Sequence, residues 1–254
     1  MSRLVAGEFR KLLTTRLWLW LLLASMALTA LYASLFIAFS DAPDTWTPPL
    51  DTAAGQQSLF AVASGGSTAL TAVLAAIGIT GEYRHKTATA TFLATPQRGR
   101  IVAAKLITYA LASIVYAAAC LATVTVIALP WLAARGIDVS LTANGIPATA
   151  LGVLVGNAVF ALIGVGLGAL LRDQVATVVT LLVYRFVAEP IVTNIPALKD
   201  WTLYLPGPAS QALTQTTLTT QHFLQAWQGG LLLTGYGLTF TLTGTLFSIR
   251  RDIT

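Results

Sequence analysis

Charge is what this sequence has least of. Only 10% of its 254 residues are Asp, Glu, Lys or Arg, while 56% are hydrophobic. Soluble domains carry about 25% charged residues, so a water-soluble globule is excluded and an integral membrane protein is expected. There is one cysteine, Cys120, inside an apolar run, so no disulfide can form within the chain. The two histidines, His85 and His222, have no H-E-x-x-H, cysteine pair or persuasive Ser-His-Asp constellation around them. That leaves metal chemistry and nucleophilic catalysis without a sequence basis. No G-x-x-x-x-G-K-[ST] occurs, so the chain does not cradle ATP by a P-loop, and the GVGLG string lacks dinucleotide-fingerprint spacing. The net charge of +5 implies no nucleic-acid partner, because the basic residues gather at the edges of apolar runs.

What is present is organised around residues 81–105, GEYRHKTATATFLATPQRGRIVAAK. This stretch lies between two long apolar runs and carries Glu82, Arg84, His85, Lys86, Arg98, Arg100 and Lys105. Lys and Arg resist translocation, which places the stretch on the cytoplasmic side. Its small and apolar interior is expected to fold as a short helix at the membrane surface, a docking element for something soluble.

Residues 2–16 read as a basic amphipathic helix lying in the headgroup plane. Leu4, Val5, Phe9, Leu12 and Leu13 fall on one side and Arg3, Arg10, Lys11 and Thr14 on the other. A plain basic flank that orients the first span is the alternative. Residues 17–39 form an apolar run of about 35 Å as a helix, long enough to span and too long for a signal-peptide core. Further spans are expected at 58–80, 107–132, 146–171, 174–194 and 227–249. The fourth carries Gly152-x-x-x-Gly156 and Gly164-x-x-x-Gly168, a close-packing pattern.

The fifth span holds the only charges set well inside an apolar segment, Arg185 and Glu189. Arg185 lies about 17 Å from the start of that span, near mid-bilayer, and Glu189 is on the same helix face four residues on. Ionisable groups at that depth mark pathways or gates by default, or else neutralise one another and lock helices. Pro190 is expected to kink or end the helix. Residues 195–226, broken by Pro196, Pro206, Gly207 and Pro208, read as short helical or re-entrant pieces on the outer side. The fold class is therefore all-α and membrane-integral: six transmembrane helices, an N-terminal interfacial helix, and both termini cytoplasmic. With that topology 12 Lys/Arg lie inside, Arg135 and Lys199 outside, and Arg185 within a span.

The 81–105 string resembles the cytoplasmic segment between spans two and three of ABC-2-type transporter permeases. EFRKLLTTR before span one, VAEP in span five, the proline-glycine element before span six and the terminal IRRD are also similar to that family, in the same order. The resemblance implies a non-enzymatic membrane subunit in the cell membrane that pairs with a second permease copy and two cytoplasmic ATP-binding subunits. No cofactor is implied on this chain; ATP and Mg belong to the partner ATPase, and lipid is the other partner. It further implies Glu82, Tyr83, Arg84, His85 and Lys86 as the docking surface, Thr87 to Pro96 as a supporting helix and turn, and Arg98 and Arg100 as basic anchors. Ser64, Ser67, Tyr184, Arg185 and Glu189 become candidates for the substrate pathway. The implied function is outward movement of a drug-like, antibiotic-like or lipid-like amphiphile. A secondary transporter using Arg185 and Glu189, or a non-transporting immunity or sensor subunit, remains an alternative.

Overall fold

A computed structural model describes residues 1–42, 47–84, 98–214 and 224–250, the side chains of Arg98 and of 245–250 excepted. Among these residues there is no strand. The helices are α1 (Ser2–Thr14), α2 (Leu17–Phe39), α3 (Ala53–Arg84), α4 (Arg98–Ala134), α5 (Ile146–Leu171), α6 (Gln174–Thr193), α7 (Lys199–Thr202), α8 (Pro206–Leu213) and α9 (Ala226–Arg250). A 3₁₀ turn over Pro196–Leu198 precedes α7. Helices α2, α3, α5 and α6, together with Gly99–Ala134 of α4, are long and apolar enough to cross a membrane.

Two helices are longer than their apolar runs. Helix α3 has 32 residues and α4 has 37, about 48 and 55 Å at 1.5 Å per residue, against a hydrocarbon core of about 30 Å. The apolar run marks only the part of a helix that lipid can solvate; local caps and propensity decide where it stops. Thr52 supplies such a cap, its hydroxyl accepting the Gly55 N–H at 3.1 Å, so α3 starts at Ala53. Pro130 lies inside α4, which continues to Ala134. At the other end, residues 81–84 and 98–105 are helical continuations of α3 and α4. Within the expected 81–105 surface segment, only 85–97 lies outside the described residues.

The bundle is built on the α3–α5 pair. Helix α2 lies against α3 and α4, and α9 lies against α5 and α8. The spaced glycines of α5 allow two close approaches: a Cβ on Gly164 would overlap the Ala72 carbonyl of α3, and one on Gly152 would overlap the Leu213 carbonyl of α8. Between the two helices a fully buried Asn157 donates to the Val153 carbonyl at 2.9 Å and accepts from the Thr71 hydroxyl at 3.3 Å. The Thr71 bond crosses between the helices and favours one register of α3 against α5, while the Val153 bond satisfies the amide within α5. Ala33, Ile37, Leu59, Val124 and Val153 form one core cluster; Leu74, Ile79, Tyr109, Tyr116 and Val165 form another nearer α1. Helix α6 is the least enclosed, with Val175, Val179, Val183 and Ile191 exposed along one stripe.

Gly164→Val is expected to destabilise the bundle by about 1–3 kcal/mol through overpacking, read as a lower thermal midpoint in detergent. Gly235→Ala, where an added Cβ meets nothing within 4 Å, is expected to leave the midpoint unchanged or raise it slightly.

Candidate functional sites: a buried charge cluster and an intrahelical ion pair

The first site is assembled by α1. Its apolar stripe seats Leu12 and Phe9 against the bundle, and Glu8 shares that stripe, four residues from both Leu4 and Leu12. Glu8 is therefore carried inward and is 6% exposed. Lys105, in the second turn of α4, meets it with Nζ 2.6 Å from Glu8 Oε2 and 2.9 Å from Glu82 Oε1. The same ammonium donates to the Gly78 carbonyl at 3.2 Å, so acceptors surround all three of its N–H bonds. Lys11 closes the cluster from the solvent side, 2.7 Å from Glu8 Oε1 and 2.8 Å from Glu82 Oε1.

Two carboxylates and two ammonium groups thus alternate, and the cluster is neutral. Lys105 is 2% exposed, and an ammonium cannot stay charged there without such partners. Burial works against the charge of Lys11, but the hydrogen bonds and charges of Glu8 and Glu82 outweigh it and lift its pKa above the usual lysine value. The contribution of Lys11 is therefore complete at neutral pH and fades only as pH rises through that elevated value. Geometrically, the cluster ties α1 to the last turn of α3 and the start of α4. Those are the helix ends that flank residues 85–97.

The residues expected at a docking surface separate here. The Glu82 carboxylate turns inward, 12% exposed, and serves the cluster. The Arg172 guanidinium stands over the half-buried Tyr83 ring, 5.7 Å from its centroid. Arg84 is exposed and reaches the Gln174 side chain at 3.3 Å. Arg100 is exposed on the first turn of α4. His85, Lys86, Thr87 and Pro96 lie outside the described residues, and Arg98 is described only as the first backbone position of α4. Sequence reading passed over Glu8 and Lys11 as site residues. The available signal was an acid on the apolar stripe of an otherwise basic helix.

The second site sits in α6. The chain enters through a tight turn: Arg172 adopts φ +56°, and the Asp173 carboxylate accepts the Ala176 N–H at 2.7 Å as a cap. Further along, Tyr184–Ala188 form a single π-helical turn, with the Glu189 N–H bonded to the Tyr184 carbonyl. Pro190 does not end the helix, which continues to Thr193. Proline has no N–H to give, and the wider π turn takes up that misfit.

Arg185 and Glu189 do pair, Nη1 to Oε2 at 2.5 Å. The other carboxylate oxygen accepts the Gly207 N–H at 2.6 Å and the Tyr184 hydroxyl at 3.2 Å. Gly207 belongs to the first turn of α8, where backbone N–H groups and the helix dipole favour an anion. A side chain at 207 would collide with the carboxylate, which is why glycine suits that position. Glu189 is 3% exposed, while the Arg185 side chain is 26% exposed.

Arg185 borders two cavities. One, of about 430 Å³, is lined by Phe160, Leu181, Tyr184, Tyr236 and Phe240 among others. The other, of about 210 Å³, is lined by Ser58, Ser64, Gly207 and Ser210 among others. Tyr184 thus lines the larger cavity and Ser64 the smaller, Arg185 borders both, and Glu189 lines neither. Ser67 is fully buried and donates to the Ala63 carbonyl at 2.7 Å; it lines neither cavity. Gly207 is the partner that sequence reading missed; it was read only among the residues that break 195–226 into short pieces. Among the described residues no three His, Cys, Asp or Glu side chains come together as a metal group.

No protein-family model matches the chain, and no curated protein matches it.

Lys105→Met is expected to cost about 3–5 kcal/mol, because it leaves two buried carboxylates with one lysine between them. The double change Lys105→Met with Glu8→Gln is expected to cost less than the sum of the single changes. Unfolding midpoints of the four proteins in the same detergent give the cycle, and additive values would mean that the cluster is not a unit.

Proposed function

We propose that the chain is the membrane-spanning permease subunit of an ATP-driven exporter. In this reading it has six spans, α9 being the sixth at about 37 Å. Helix α1 lies in the membrane interface, and both termini are cytoplasmic because the basic residues concentrate on that side. The transported solute is an amphiphile, passed outward from the membrane of the cell. ATP and Mg bind to two copies of a separate cytoplasmic subunit, and a second permease chain completes the assembly.

The observation that carries this reading is the Glu8–Lys11–Glu82–Lys105 cluster. Residues 85–97, with the basic residues beside them, are flanked by α3 and α4, and the cluster ties both helix ends to α1. A push on that segment is therefore delivered to three helices together rather than dissipated in one. Closure of an ATPase pair shifts the permease between inward- and outward-open states only if the docked segment binds the two states differently. Arg84 and Arg100, both exposed at these helix ends, supply charge for a partner groove. The ion pair in α6 and its two cavities supply a polar point within the bundle at which a solute can be held.

The test is co-purification in mild detergent with candidate ATP-binding subunits from the same source. A stoichiometric complex is expected, with ATPase activity and export both reduced several-fold in Arg84→Glu while membrane insertion stays normal. Solute flux in liposomes without ATP, and no ATPase retained, would sink the proposal.

A further inference from the structure

We infer that Arg185 is the recognition group of a binding site for amphiphiles carrying a single negative charge. The 430 Å³ cavity takes the apolar body, and the 210 Å³ cavity takes the anionic head. This names a substrate class for the export reading and rests on it for the role in transport, though not for binding itself.

Three observations converge on it. The larger cavity falls within the range of small-molecule pockets, about 300–1,000 Å³, and its wall is apolar apart from a few groups: Phe160, Ile163, Leu181 and Phe240 beside one guanidinium. A lone charge in such a wall sets the sign of what binds. The smaller cavity is the polar one, bordered by Ser58, Ser64, Ser210 and Gln211. Ser58 is 1% exposed, and among the described residues its hydroxyl has no hydrogen-bond partner. A buried donor of that kind is costly unless an acceptor meets it, and Arg185 borders the same space.

Glu189 does not cancel the site. Its carboxylate is held at the back by the Gly207 N–H, by Tyr184 and by the start of α8. It occupies one of the five N–H donors of Arg185 in the described hydrogen bonds. The carboxylate is withdrawn at 3% exposure and the guanidinium stands forward at 26%, so an incoming cation meets Arg185 before it meets Glu189. A carboxylate or sulfonate finds a planar fork with donors to spare.

The experiment uses the purified full chain in phosphatidylcholine nanodiscs, without ATP or any partner. Three fluorescent probes share one body: dansyl-aminoundecanoate, its neutral amide, and its trimethylammonium counterpart. Wild type is expected to bind the anion on the order of tenfold tighter than the amide, and the cation weakest. Glu189→Gln is expected to tighten anion binding, because it releases the guanidinium. Arg185→Gln is expected to abolish the preference while amide binding persists. Arg185→Gln with Glu189→Gln removes both members of the pair, so it tests the same point without a stranded buried charge. Ser58→Ala is expected to weaken the anion alone.

Anion preference that survives in the double variant, or tighter binding of the cation, overturns the proposal. Displacement of the probe by phosphatidylglycerol built into the disc identifies an anionic lipid as the source; displacement by added laurate alone identifies a free amphiphile. Either one supports the site. A failed ATPase co-purification leaves this binding result standing, and loss of anion preference leaves the export reading standing with another substrate class.

Discussion

A charge removed from water must find its partners inside the protein, and that constraint shapes this chain at both of its polar sites. Lys105 is accommodated at 2% exposure because Glu8, Glu82 and the Gly78 carbonyl surround it. Glu189 stays at 3% because Arg185, Tyr184 and the Gly207 N–H do the same. Each cluster draws its members from elements distant in sequence: α1, α3 and α4 in one case, α6 and α8 in the other. Hydrogen-bonded charge contacts are directional, and they add to the apolar packing between the helices. They therefore fix how the helix ends sit relative to one another.

The two clusters differ in a way that matters for function. The first has its charges balanced and its lysine enclosed, which suits a joint. The second is lopsided, with a fully enclosed acid and a base that faces open space on two sides, which suits a contact with something that comes and goes. The ATP-driven permease proposed above would need both kinds of element. One has to transmit displacement without yielding, and the other has to meet a solute and release it. The unusual helix turn at Tyr184–Ala188 belongs to the second site and turns Tyr184 and Arg185 toward the same carboxylate.

Much of the helix plan was legible in the sequence because lipid leaves a simple record: long apolar runs where the chain is covered by hydrocarbon or by other helices. The limits of α2, Leu17–Phe39, and of α5, Ile146–Leu171, coincide with such runs. The pairing of Arg185 with Glu189 followed from their i, i+4 spacing. The ends of α3 and α4 were not legible, since a polar cap and charged helix-forming residues continue a helix past its apolar stretch. Glu82 read as a surface acid because nothing local shows that Lys105 and Lys11 fold back onto it. The role of Gly207 was hidden for the same reason: a backbone N–H has no sequence signature, and its partner lies 18 residues away.

The central claim is that α1, the end of α3 and the start of α4 behave as one body because the charge cluster joins them. Amide hydrogen exchange of the full chain in nanodiscs, followed along α1 in wild type and in Lys105→Met, tests it most directly. The account predicts that α1 amides are protected in wild type to the level of residues 78–84 and 101–105, and that all three segments lose protection together in the variant. An α1 that exchanges rapidly in wild type, or that keeps its protection when Lys105 is replaced, would contradict it.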